Sequence, residues 1–298
     1  MNHTITYLHL LTPLHTGASV DEGNLMGIAR EVHTGFPHLP ASSVRGKIRS
    51  HVESQLQDTA QADAAADFFG RKIEESQQPT EGQVWFGDAS LLFFPVASAR
   101  ANLIWITCPL WLERWQRWYP HTQATEQLGK WLVNWTETLQ EKEAIASFQT
   151  DQLFLQTAIA SNISILTTEE IETLQPVFQT LQTTSNLLGN LPKKLVILDE
   201  DDCLSLVEAG LQREVRVALE ADSKTVKGGS FRSEEAIPPE TILFFPWGVK
   251  PAAKNNHTNA INDFLQQVLA SRLQFGGLES LGRGWANAIA VDSQEKPS

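Results

Sequence analysis

Apolar residues recur every fourth position at Val44, Ile48, Val52 and Leu56, which sets them on one stripe of a helix. Arg45 and Arg49 keep the same step on a second face. Ser42 or Ser43, just ahead of the stripe, is the expected N-cap, because its side-chain oxygen can accept from a free N–H of the first turn. Before this helix, HTITYLHLLTPLHTG (residues 3–17) reads as a strand rich in Ile, Leu, Thr and Tyr, stopped by Pro13 and Gly17. Residues 18–41 carry Gly23, Gly27, Gly35, Pro37 and Pro40 and read as a loop. A loop of that length inside a compact domain is functional or disordered.

Farther along, TAQADAAADFFGRKIEESQQPTEGQ begins as a helix and ends as a polar connection. VWFGDASLLFFPVASARANLIWITCP reads as strand, loop, strand, with Pro95 and Pro109 as breaks. From 111 to about 190 the spacing is helical: Trp111, Trp115 and Trp118, then Trp131 and Trp135, fall at helical steps and read as core packing. KKLVILDEDDCLSLVEAG is a strand and then a helix capped by acids, which favour a helix N-terminus. REVRVALEADSKTVKGGSFRSEEAIPPETILFFPW holds two strands around a long polar hairpin. NDFLQQVLASRLQFGG is an amphipathic helix, followed by a glycine-rich turn and the last strand, GWANAIAV. Strand–helix–strand units at both ends, with strands also in the middle, give an α+β class rather than a doubly wound parallel sheet. The helical stretch is then an insertion.

Charge changes this picture more than composition does. The formal net charge is −12, yet residues 33–50 contain no acid and hold Arg45, Lys47 and Arg49. Residues 111–210 carry 14 Asp and Glu against 6 Lys and Arg, so much of the negative charge sits in the middle of the chain. Non-specific nucleic-acid binders are usually basic throughout, and the total charge argues against that class while leaving room for a local basic groove. Cys108 and Cys203 are two thiols far apart in the chain, which suggests neither a disulfide framework nor a zinc site. No apolar run approaches the roughly 18 residues of a membrane span, and the N-terminus lacks a basic-then-apolar pattern, so a cytoplasmic protein with no membrane partner is expected.

Two segments carry candidate chemistry. A serine-started helix bearing Arg45, Lys47 and Arg49 offers free N–H groups, a positive dipole end and cations to an anion. In LQFGGLESLGRGWA, Gly276, Gly277, Gly282 and Gly284 surround Arg283, and glycine lets backbone amides come close to phosphates. The spacing is neither a P-loop nor a dinucleotide fingerprint. Taken singly, the two segments read as a surface helix and a tight turn.

Taken together, the segments LHLLTPLHTGAS, REVHTGFPHLPASSVRGKIR, FGDASLLFFPVAS, LIWITCPLWLERW, REVRVALEADSKTVKGG and LQFGGLESLGRGWA resemble, in order, the RAMP superfamily of CRISPR proteins. Within it they resemble the backbone subunit of the type III-B (Cmr) RNA-targeting complex, leaving mainly residues 115–190 uncovered. The resemblance implies a ferredoxin-like (RRM-like) palm with a β-hairpin thumb and a large helical insertion. It implies one domain over 1–298, the insertion at about 111–190 and the thumb at about 222–238. Copies would stack as a helical filament on a CRISPR guide RNA, beside other effector subunits, and hold complementary target RNA with base pairing supplying the specificity. His15, Arg30, His33, Ser42, Ser43, Arg45, Lys47 and Arg49 are the implied RNA contacts near the start. Lys224, Lys227 and Arg232 on the thumb and Gly276, Gly277 and Arg283 in the glycine loop complete the set.

In that family a loop aspartate before the block matched here by Arg30 and Glu31 supports target-RNA cleavage. The loop here is ASVDEGNLMGIARE, and the matching position is Leu25 or Asn24. Leu25 can neither take a proton nor bind a metal, and an asparagine takes no proton at neutral pH. The expectation is an RNA-holding subunit with no cofactor or metal. The alternative is a Mg²⁺-dependent endoribonuclease using Asp21, or a histidine route through His15, His33 or His38. Ala97 stands where the family often has an arginine, with Arg100 nearby. A guide-processing endonuclease and an acidic protein-binding adaptor are the remaining classes. An adaptor predicts no salt-dependent RNA affinity.

Overall fold

The computed structural model describes residues 3–17, 25–56, 64–71, 80–217, 220, 222, 226, 231–250 and 257–291. Strand β1 (His3–Leu10) and helix α1 (Ala41–Leu56) fall where the pattern puts them, with the short strand β2 (Leu25–Met26) between. Val44, Ile48, Val52 and Leu56 are all buried. Each such aliphatic side chain stabilises the fold by about 1.5–3 kcal/mol on full burial. The helix starts at Ala41, ahead of both serines, and the Ala41 N–H donates to Asp88 Oδ1 at 2.6 Å. Ser42 and Ser43 are therefore first-turn residues rather than caps, since a carboxylate from a distant strand connection meets the first free N–H.

Helix α2 (Ala64–Phe69) leads to β3 (Val84–Phe86), β4 (Ser90–Ser98) and β5 (Asn102–Thr107). Next come α3 (Pro109–Gln116), α4 (Gln123–Thr138), β6 (Ala144–Ala146), the hairpin β7 (Leu153–Leu155) and β8 (Ala158–Ala160), and β9 (Ile163–Ile165). α5 (Thr168–Thr173), α6 (Gln175–Gln182) and β10 (Leu195–Ile197) follow. The stretch read as helical over 111–190 is helix-rich but holds four strands besides. Three residues each is too short for a two-residue period to show. The remaining elements are α7 (Glu200–Gly210), β11 (Gln212–Arg216), β12 (Arg232–Ala236), β13 (Ile242–Val249), α8 (His257–Leu269), β14 (Arg272–Gln274) and β15 (Trp285–Val291).

One sheet runs β14-β15-β1-β13-β4-β5-β10-β6-β9, with β3 also pairing on β13. β4 passes straight through Pro95, which the sequence marks as a break. β13 pairs with β4 only as far as Phe93, so no ladder bond on that side needs the missing proline N–H. Alternation along β1 sends Leu8 and Leu10 to one core with Val44, Ile48, Leu265 and Phe245. It sends Ile5 and Tyr7 to a second core with Phe93, Trp105, Trp115, Trp135 and Phe178. α1 and α8 thus cover one face and α3 to α6 the other. Trp111, Trp115 and Trp135 are fully buried and Trp131 partly so, as the core reading requires, but Trp118 is exposed just past the end of α3 and is not a core residue. A second, three-stranded sheet, β11-β12-β2, carries the ribbon and stands beside the palm.

Candidate nucleic-acid interface

Residue by residue, the predicted cations of α1 divide into two groups. Arg45 donates to the Phe69 carbonyl and lies over the Phe69 ring, 5.9 Å from its centroid. Arg49 donates to Gly70 O at 3.1 Å and to Glu53 at 2.9 Å. Both arginines satisfy carbonyls left open at the C-terminal end of α2, where cations are favoured. Lys47 leaves on another side and reaches Glu279 of the glycine-rich loop at 3.3 Å. Ser42 and Gly46 are exposed on the helix, and Ser43 is half-buried. The structure therefore joins the start of α1 to the glycine loop, two segments some 230 residues apart in sequence.

The glycines of that loop serve the chain's own packing. Gly276 and Gly284 have φ of 77° and 78°, and a Cβ on them would overlap the His15 and Phe275 carbonyl oxygens. Gly277 N–H donates to His15 O at 2.8 Å. His15 is buried, and its Nδ1–H donates to Glu235 O at 2.8 Å, so the imidazole holds the loop to the ribbon.

Two charge quartets fix the base of the ribbon. Adjacent residues of β12 point to opposite faces, so Glu234 and Glu235 each meet a separate pair of arginines. Glu235 Oε2 accepts from Arg30 at 2.9 Å and Oε1 from Arg213 at 3.0 Å, and Glu208 of α7 also ion-pairs with both arginines. On the other face Glu234 Oε1 accepts from Arg283 Nε at 3.1 Å and Nη2 at 2.5 Å, and from Arg216 at 3.1 Å. Glu214 completes the set, 2.8 Å from Arg283 and 3.1 Å from Arg216. The Glu234 and Glu235 side chains are only 5% and 4% exposed. Burial raises the Glu234 carboxyl, but the hydrogen bonds and charge of Arg283 and Arg216 outweigh it and hold it below the usual carboxylate range. Burial likewise lowers Arg283, and Glu214 and Glu234 more than compensate.

Arg283 and Arg30 are thus ion-paired to carboxylates of the chain itself, Arg283 and His15 buried and Arg30 half-buried. Arg232 is exposed and lies directly across the ribbon from Arg216. Val215, Val217 and Phe231 are exposed on the same ribbon. His33 is exposed and accepts from Arg114 at 3.2 Å, while Arg114 also grips both Glu31 oxygens at 2.8 and 2.9 Å. His38 has a buried Nδ1 without a partner. Leu25 pairs with Ser233 on the ribbon. Asp21, Asn24, Lys224 and Lys227 lie outside the described residues. Ala97 is exposed, and Arg100 lies over Phe154 instead of turning toward the site. Cys108 and Cys203, far apart in the chain, become neighbouring free buried thiols, Cys203 Sγ donating to Thr107 O at 3.4 Å, and burial pushes Cys203 well up. Among the described residues no three His, Cys, Asp or Glu side chains form a metal-binding group.

Sequence reading missed Glu208, Arg213, Glu214, Arg216, Glu234 and Glu235. The signal was present in the opposed charges of REVR and RSEE, but reading it needs the ribbon register, which pairs Arg213 with Glu235.

The model of the RAMP superfamily matches residues 7–287. The chain belongs to the RAMP superfamily. A RAMP relative, the CRISPR system Cmr endoribonuclease Cmr4 of Pyrococcus furiosus, is 28% identical over 282 residues, covering 93% of this chain and 92% of that one. The CRISPR system CMR subunit Cmr4 of Saccharolobus solfataricus is 23% identical and covers 94% and 92%. Among solved structures, a chain of the apo type III-B Cmr-beta complex superposes with a TM-score of 0.72 at 19% identity, covering 97% of both chains. Oligomeric Cmr4 from Pyrococcus furiosus gives 0.67 at 24% identity, covering 98% and 99%. These likenesses establish the α+β fold with a ferredoxin-like palm.

Proposed function

We propose that this RAMP protein is a backbone subunit of a type III-B CRISPR effector complex. In this reading it oligomerises along a guide RNA, contacts other effector subunits and holds the guide–target RNA duplex. The observation that carries the proposal is the convergence of the α1 start, the glycine loop and the ribbon base through Lys47–Glu279 and Arg283–Glu234. Ser42, Ser43 and Lys47 contact guide phosphates, and exposed Arg232, across the ribbon from Arg216, offers a further cation to a phosphate. The apolar side chains Val215, Val217 and Phe231 let the ribbon act as a thumb that enters the duplex. Lys224 and Lys227 extend its basic side. The chain acts as one RAMP domain over 1–298, its thumb at about 222–238 and its insertion at about 111–190 turned away from RNA, in the cytoplasm. Among the described residues no helix is long and apolar enough to cross a membrane.

With Leu25 or Asn24 at the position of the family's loop aspartate, the subunit binds target RNA without cutting it and needs no cofactor. The competing reading is Mg²⁺-dependent cleavage through Asp21 or a nearby histidine, and the name endoribonuclease borne by the Pyrococcus relative favours it. A labelled complementary RNA, incubated with the guide-loaded complex in Mg²⁺ and then in EDTA, separates the two. Tight binding of an uncut target is expected. Cuts at regular intervals that vanish with Asp21→Ala overturn the non-cutting reading. Absence of salt-dependent RNA binding overturns the whole proposal.

A further inference from the structure

Edge strand β14 pairs with β15 so that Gln274 lies across from Trp285 and Arg272 from Asn287. Directly opposed residues share a face, and so do residues two apart. Arg272, Gln274, Trp285 and Asn287 therefore lie on one face of this corner, while Leu273 and Ala286 on the other face are buried. Farther along the sheet the same side is covered by α3 to α6, but at this corner Arg272 and Trp285 are exposed.

Trp285 is unlike the chain's other tryptophans. Trp105, Trp111, Trp115, Trp135 and Trp247 are buried, and Trp131 packs on the second core. Trp118, exposed to a similar degree, has its ring against His3 and Trp85. Trp285 is 38% exposed, and among the described residues no aromatic ring packs on it and no acceptor meets its indole N–H. Its backbone is nevertheless fixed. The Trp285 N–H donates to Thr12 Oγ1 at 2.9 Å, and its carbonyl accepts from Leu11 and Thr12 at 2.8 and 3.3 Å.

The surroundings are polar and continuous with the interface described above. Gln274 Nε2 donates to the Glu279 and Arg283 carbonyls, both at 2.9 Å, and Glu279 in turn holds Lys47. Arg272 Nε donates to Asn287 Oδ1 at 3.3 Å, and the register puts Arg272 and Trp285 in adjacent pairs on the same face. A pre-positioned aromatic with a neighbouring cation on an open sheet face fits a nucleobase and its phosphate. An apolar protein partner would leave the Arg272 charge buried without a phosphate to answer it.

We propose that Trp285 is a stacking platform for one unpaired base of the RNA on the glycine loop, with Arg272 contacting the adjoining phosphate. The proposal rests on the RNA-binding reading and adds a contact of its own. The test uses the full-length protein, its Trp285→Ala, Trp285→Phe and Arg272→Gln variants, and a single-stranded RNA scanned with 2-aminopurine, whose fluorescence stacking quenches. The expected result is quenching at one position of the bound RNA, lost in Trp285→Ala with about tenfold weaker binding and largely kept in Trp285→Phe. Arg272→Gln should weaken binding and flatten its salt dependence while the quenching persists. Wild-type binding with no quenching at any position overturns the stacking role, and this result stands even if Trp285→Ala fails to fold. Unchanged affinity and quenching in folded Trp285→Ala overturn it as well. So does a Trp285→Ala effect confined to self-association without RNA, which would mark the corner as a contact between copies. No RNA binding by the wild type removes the RNA-binding reading itself, and this inference with it.

Discussion

Replacing Arg283 by methionine separates two roles that the sequence alone runs together. If Arg283 grips RNA phosphates, the variant keeps its stability and loses affinity. The structure predicts the reverse order of effects. Arg283 is 7% exposed and shares Glu234, itself 5% exposed, with Arg216. Removing one member of a buried pair costs about 3–5 kcal/mol, because the remaining charge is left without its partner. Here Arg216 stays on Glu234 and Glu214 is half exposed to water, so about half of that figure, roughly 2 kcal/mol, is the expected loss. At about 2–4 °C per kcal/mol for a domain of this order of size, the melting temperature falls by about 4–8 °C. The pH dependence gives a second reading. The folded Glu234 carboxyl lies below its unfolded value, so its stabilisation is present above the unfolded value near about 4.3 and is lost as pH falls through the folded one. Arg283→Met should shrink that acid-side loss. The double variant Arg283→Met/Glu234→Leu should recover part of the stability, since an apolar pair leaves no buried charge. Thermal unfolding followed by circular dichroism from pH 3 to 7 reads all three quantities. An unchanged melting temperature together with weaker RNA binding would refute the structural role given to Arg283.

Other outcomes follow from the same geometry. Gly276→Ala and Gly282→Ala both place alanine at positive φ, an expected cost of about 1–2 kcal/mol each. Only at Gly276 does the new Cβ meet a backbone carbonyl, so urea unfolding should show Gly276→Ala clearly the worse, and equal losses would count against the close approach to His15. Lys47→Ala should leave stability within about 0.5 kcal/mol and reduce the slope of log affinity against log salt by about one phosphate contact. Arg45→Ala and Arg49→Ala should instead release the end of α2, read as faster amide exchange over 64–70, because their donors serve the Phe69 and Gly70 carbonyls.

The sequence by itself determined the elements whose signals are local. The four-residue stripe of α1, the apolar run of β1 and the Asp199 cap of α7, whose side chain accepts from Asp202 N–H at 2.8 Å, each depend on residues a turn or two apart. The family could be read from ordered segments for the same reason, since each is a short string of residues. Partnership was another matter. Arg30 finds Glu208 and Glu235 at separations of 178 and 205 residues, and Asp88 meets the N-terminus of α1 from 47 residues away. Cys108 and Cys203 become neighbours only once β5 and β10 lie side by side in the sheet. A cation in a one-dimensional pattern looks the same whether it will face a phosphate or a buried carboxylate. Its fate is settled by which strand lies opposite and which face the register gives it. The tertiary structure alone therefore decided that Arg283 and His15 hold the site together while Lys47, Arg232 and Trp285 remain at its surface.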